Sequence, residues 1–75
     1  MDWRPYVTVD PNICHGQACV TGTRILVSVV LDNLAAGVPE AEILASYPRL
    51  PRGAVQACIA YAAELAREHV IALPA

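Results

Sequence analysis

The chain has 75 residues, a mass of 8.0 kDa and a formal net charge of -2, so it holds one domain and no large enzyme cleft. Apolar residues make up 56% of it, which excludes a disordered chain, but 13 are alanine and four are aromatic: Trp3, Tyr6, Tyr47 and Tyr61. All five basic residues are arginine, and so weak a basic character argues against strong nonspecific binding to nucleic acid, which needs many phosphate-neutralising side chains.

No apolar run approaches the length of about 18 residues that spans a membrane. No basic start leads into an apolar stretch, so no signal peptide is expected. Ordering a chain costs about 1.5 kcal/mol per residue, which burial of small side chains only roughly offsets. Self-association, as a homodimer or higher homo-oligomer, is therefore expected.

In chain order, Tyr6-Val7-Thr8-Val9 alternates and is rich in strand formers, which predicts a short strand. Asp10-Pro11-Asn12 is a turn signal. Ala18-Cys19-Val20 and Arg24-Ile25-Leu26-Val27 form further extended segments, with Gly16 and Gly22 where the chain reverses. Residues 6–27 thus read as a small β element with an exposed edge, one place for a dimer partner.

Residues 28–70 read as three helices, and 71–75 as a tail. Val27, Val30, Leu31, Leu34 and Ala35 make one apolar helix face, with Ser28 as N-cap and Gly37 as the stop. A second helix begins near Pro39-Glu40 and turns Ile43, Leu44 and Tyr47 inward until Pro48 ends it. A third runs from Pro51 to about Val70 with Val55, Cys58, Ile59, Ala62, Ala66 and His69 or Val70 inward. Its alanines favour helix and leave room for another helix to approach. Leu50 is expected to plug the core. The fold class is mainly α with a small N-terminal β element, in a three-helix, helix-turn-helix-like arrangement.

Cys14, Cys19 and Cys58 are an odd set, which fits a reducing cytoplasm better than a disulfide framework. Cys14, His15 and Cys19 resemble half of a metal knuckle, but Cys58 and His69 lie 11 residues apart and supply no second half, so no metal is expected. Cys19 and Cys58 read as small core residues and His15 as a turn residue.

The block from Asp10 through Gly22-Thr23-Arg24-Ile25 resembles the G-x-P-x-I-x-G-T-R-I signature of domain-of-unknown-function family 433, a bacterial and archaeal family. The helix ending Ala35-Ala36-Gly37, the Ile43-Leu44 and Tyr47-Pro48 pairs within 40–48, and an A-x-x-Y-A-x-x-L-like helix around Ala57 to Leu65 extend the likeness over roughly residues 6–68. The resemblance implies a homeodomain-like helix-turn-helix. It also implies an antitoxin-like protein that binds a PIN-like ribonuclease toxin and, often, its own promoter. It implies no catalytic residues and no cofactor.

The sequence departs from the family pattern in three places. Ala18 replaces a usual proline; Pro39 and Pro51 replace capping Ser or Thr, at about 1 kcal/mol each; and Arg52-Gly53 replaces acidic residues. Arginine near a helix N-terminus opposes the dipole. Arg49 and Arg52 flank the start of the third helix, the end that enters the major groove in a helix-turn-helix reader. With Gln56 one turn on, they are the candidate contacts to double-stranded DNA; the alternative is two solvated arginines.

Arg24 is expected to pair with Asp10 or Asp32 and lock the β element onto the first helix. Thr21 and Thr23 are expected to satisfy local backbone groups. Nothing in the chain supports catalysis: there is no triad order, no paired carboxylates and no phosphate loop. The alternatives to a DNA-binding antitoxin are a protein-binding module or a structural homo-oligomer. Neither half is basic, with two Arg against three Asp in residues 1–37 and three Arg against four Glu in 38–75.

Overall fold

A computed structural model describes residues 1–68. Its elements are β1 (Val7–Thr8), β2 (Cys19–Val20), α1 (Val27–Ala35), α2 (Glu40–Ser46) and α3 (Ala54–Glu68). The architecture is three helices and a two-stranded antiparallel sheet at the N-terminus, mainly helical as expected. The inward positions expected at His69 and Val70, and the tail, lie outside the described residues.

The strands are shorter than the pattern predicts. Val7 pairs with Val20 and Thr8 with Cys19, and Cys19 also bridges Leu26 on its other side. β2 is therefore the middle of the β element. Its outer neighbour ends at Leu26, because Val27 already begins α1. The cap of α1 is Leu26 with no side-chain bond, so Ser28 lies inside the first turn and exposed. The sheet itself decides this: Val27 N–H donates to the Ala18 carbonyl (3.0 Å), placing the helix start directly after the bridge.

Gly37 does stop α1. Its N–H donates to the Leu34 carbonyl and that of Val38 to Asn33, both at 3.0 Å, the paired bonds that close a helix on a left-handed residue. α2 opens at Pro39, again without a side-chain cap, with Glu40 and Glu42 in its positive first turn. α3 starts three residues later than expected. Residues 51–54 form a turn closed by Ala54 N–H on the Pro51 carbonyl (3.1 Å), and Gly53 sits at φ +85°, where a helix cannot run. Pro51 therefore caps nothing.

The core is built of small side chains. Val20, Val30, Ile43, Val55, Cys19 and Cys58 are fully covered, and Leu50 closes the core from the connection before α3. α1 packs on both other helices, and α3 also meets β1. The inward face of α3 differs from the expected one. Ala54, Val55, Ala57 and Cys58 are buried, whereas Ile59 is 41% exposed and Ala66 is exposed. The later start explains part of this, because the first turn of α3 is the most deeply seated.

Candidate functional site: an arginine cleft

The loop joining β1 to β2 is anchored at both ends. The Asp10 carboxylate accepts from Asn12 N–H (2.8 Å) and the Asp10 carbonyl from Ile13 N–H (2.9 Å), making the turn that proline and asparagine signal. Cys14, His15 and Gly16 then follow in left-handed conformation, with φ of 50°, 55° and 81°. Each non-glycine residue held there costs about 1–2 kcal/mol. The bonds Gly16 N–H to Ile13 carbonyl and Gln17 N–H to Cys14 carbonyl, both 3.0 Å, offset part of that.

The next turn closes with Thr23 N–H on the Val20 carbonyl (3.0 Å). The Thr23 hydroxyl also donates to that carbonyl (2.8 Å) and accepts from Ile25 N–H (3.1 Å), so Thr23 satisfies backbone as expected. Thr21 does not. Its hydroxyl shares a 2.7 Å hydrogen bond with that of Thr8 across the strands, because the register that pairs Thr8 with Cys19 leaves Thr21 diagonally across from Thr8.

This rigid turn presents Arg24. The expected pairing with Asp10 or Asp32 is absent: Asp10 is engaged in its own turn, Asp32 is exposed on α1, and Arg24 points to solvent with no ion pair among the described residues. Arg24 instead lines, with Arg49, Ile13, Gly22 and Thr23, an open cleft of about 330 Å³.

Arg49 sits in a turn of its own, closed by Leu50 N–H on the Tyr47 carbonyl (3.0 Å). It and Arg52 precede α3 rather than ride on it, since residues 47–53 all lie between α2 and α3. That connection is longer than the three or four residues of a helix-turn-helix. Gln56 is exposed in the first turn of α3. The structure thus joins Arg24 to Arg49 and leaves Arg52 and Gln56 at the helix start.

The opposite end holds an arrangement that the sequence reading missed. Trp3 Nε1–H donates to Glu64 Oε2 (2.8 Å), and its ring meets Tyr61 edge-on at 4.8 Å. The Arg4 guanidinium lies 5.0 Å from the Trp3 ring centre and pairs with Asp2 (3.3 Å) and Glu64 (3.6 Å). The Arg4 backbone N–H, then its side chain, hold the Asp2 carboxyl below its ordinary range. Ala60 and Ala63 line the same cavity as Trp3 and Arg4. A lone tryptophan opposite an alanine-rich helix was the available signal: small residues leave room for one large ring.

Burial pushes the Cys58 thiol up to about 11, as suits a core residue. Among the described residues, no three Cys, His, Asp or Glu side chains converge as metal ligands, and no helix is long and apolar enough to cross a membrane.

The model of the family DUF433, a protein family of unknown function, matches residues 7–62. The chain belongs to that family. The match runs from β1 through most of α3 and so contains the whole arginine cleft. A crystal structure of a DUF433 member from Anabaena variabilis superposes with a TM-score of 0.76 at 29% identity, covering 87% of this chain. The chain spans 64% of that protein's length. No curated protein matches the chain.

Proposed function

We propose that this DUF433 domain is an antitoxin-like, homodimeric regulator that grips promoter DNA through the Arg24–Arg49 cleft and pairs with a PIN-like ribonuclease toxin. One observation carries the DNA half: two arginines, 25 positions apart in sequence, line a single cleft with no carboxylate to neutralise them among the described residues. A guanidinium fork matches a phosphate oxygen pair, and backbone phosphates supply most of the affinity of such complexes. A two-fold dimer presents the cleft twice, which lets a chain of net charge -2 bind DNA locally. Exposed Arg52 and Gln56 at the start of α3 are the candidate readers of base edges. The toxin half rests on the family likeness, and exposed Ile59 and Leu65 on α3 support a protein-facing surface.

The test is a gel shift with the DNA upstream of the gene, titrated in salt. Wild type binds, and Arg24→Ala with Arg49→Ala abolishes binding while leaving the folded spectrum intact. Failure of wild type to bind at low salt overturns the DNA half. The reading left is a protein-binding module without DNA, which the long connection between α2 and α3 and the apolar outer face of α3 favour. Co-expression with the adjacent gene product, scored for a stable complex and restored growth, tests the toxin half.

A further inference from the structure

Cys14 and Cys19 belong to no part of the proposed DNA contact, yet the fold brings both to the same segment of chain. Four residues lie between them, and the backbone turns through left-handed conformations at Cys14–Gly16. The Cys14 sulfur lies 3.8 Å from the Arg24 carbonyl, to which its S–H donates. Cys19 bridges Leu26, two positions further along the same segment. Val20 N–H on the Ile25 carbonyl and Val27 N–H on the Ala18 carbonyl make Cys19–Leu26 a pair without mutual hydrogen bonds, the kind whose side chains stand closest. Both cysteines are therefore brought to the segment at residues 24–26.

The two thiols differ in access. Cys14 is half-buried and lines an open cavity of about 380 Å³ with His15, Gln17, Arg24 and Leu26. Cys19 is 1% exposed. Cys58 is also a fully buried free thiol.

We propose that Cys14 and Cys19 form a reversible intrachain disulfide in response to a hydroperoxide, with Cys14 the attacking and Cys19 the resolving thiol. The Cys14 thiolate attacks a peroxide oxygen; an S–O bond forms, the O–O bond breaks, and the departing hydroxide takes a proton to become water. Cys19 then attacks the Cys14 sulfur; the S–S bond forms, the S–O bond breaks, and the hydroxyl leaves as water with the Cys19 proton. Two thiols are oxidised and one peroxide is reduced to two waters. Burial first, then the Cys14 thiol, raise the Cys19 thiol above its ordinary range, which fits Cys14 rather than Cys19 as the first thiol to react. Transient disulfides of this kind suit a reducing compartment.

The experiment treats the full chain with hydrogen peroxide and follows intact mass and peptide maps. The expected product is a monomer lighter by about 2 Da, with one crosslinked peptide joining Cys14 and Cys19, and full return on adding dithiothreitol. Cys58→Ser leaves this unchanged, and Cys14→Ser abolishes it. Because Cys19 is a core residue and its variant can fail to fold, the wild-type peptide map is the deciding measurement. Oxygen addition at Cys14 without a crosslink, a crosslink to Cys58, or a chain linked only to a second chain overturns the proposal.

Discussion

Arg4 and Arg24 carry the same guanidinium into opposite surroundings. Arg4 stacks near Trp3 and meets two carboxylates, one of them shared with the indole N–H. Arg24 leaves a tight turn, shares an open cleft with Arg49 and finds no carboxylate among the described residues. In the first case the charge is met internally where the N-terminal segment lies on α3. In the second, no carboxylate among the described residues meets it. Residue type alone does not distinguish the two arginines; the distance to the nearest carboxylate does.

A double dissociation tests that contrast most strongly. Arg24→Ala with Arg49→Ala is expected to abolish DNA binding, with the salt slope of log K falling by about three to four if a dimer loses four phosphate contacts. The melting temperature should hold. A slope that does not change would remove the cleft from the DNA surface. The mirror experiment is Trp3→Ala. It is expected to cost about 2 kcal/mol, below the value for a fully buried ring, and to lower the melting temperature by about 10 °C. DNA affinity at a temperature where the variant is folded should barely move. Equal losses of stability at both ends would break the comparison.

A smaller effect is expected where the N-terminal segment crosses the start of α3. A Cβ built on Gly53 would lie 3.3 Å from the Tyr6 hydroxyl, on a backbone at φ +85°. Gly53→Ala should cost about 1–2 kcal/mol by chemical denaturation. Adding Tyr6→Phe should return only the crowding part. The core beneath both ends has a pH signature. Cys58 titrates near 11 when folded, above the value of about 8.5 for an unfolded thiol, so its contribution is full below that lower value and is lost as pH rises toward 11. Melting curves from pH 8 to 11 should therefore fall more steeply for wild type than for Cys58→Ala. Smallest is Glu64→Gln, which removes the partly exposed ion pair with Arg4 but keeps an acceptor for Trp3. It should cost under about 0.5 kcal/mol; a larger loss would mean that the ion pair, not the ring, holds the segment.

Much of the fold was legible because local signals agreed. Alternation at 6–9, the stop at Gly37, proline before α2 and Pro48 after it each state a backbone preference that needs no partner. Ile43, Val55 and Cys58 followed from periodicity, Leu50 from its place between two helices, and all four are buried. The misjudged details depend on neighbours. Ser28 suits a cap in isolation, but the bridge from Cys19 to Leu26 fixes the helix start one residue before it. Pro51 suits a helix start, but Gly53 takes a left-handed conformation under Tyr6.

The candidate site was legible residue by residue and illegible as a set. The sequence by itself determined three helices after a β element, one small-residue core and five arginines without a lysine, because spacing and chain stiffness act within a few positions. Tertiary structure alone decided which arginine was paired and which, among the described residues, was not. It brought Glu64 to Arg4 and Arg49 to Arg24 across separations that no periodicity encodes. An ion pair depends on distance in space, and only the packed chain supplies it.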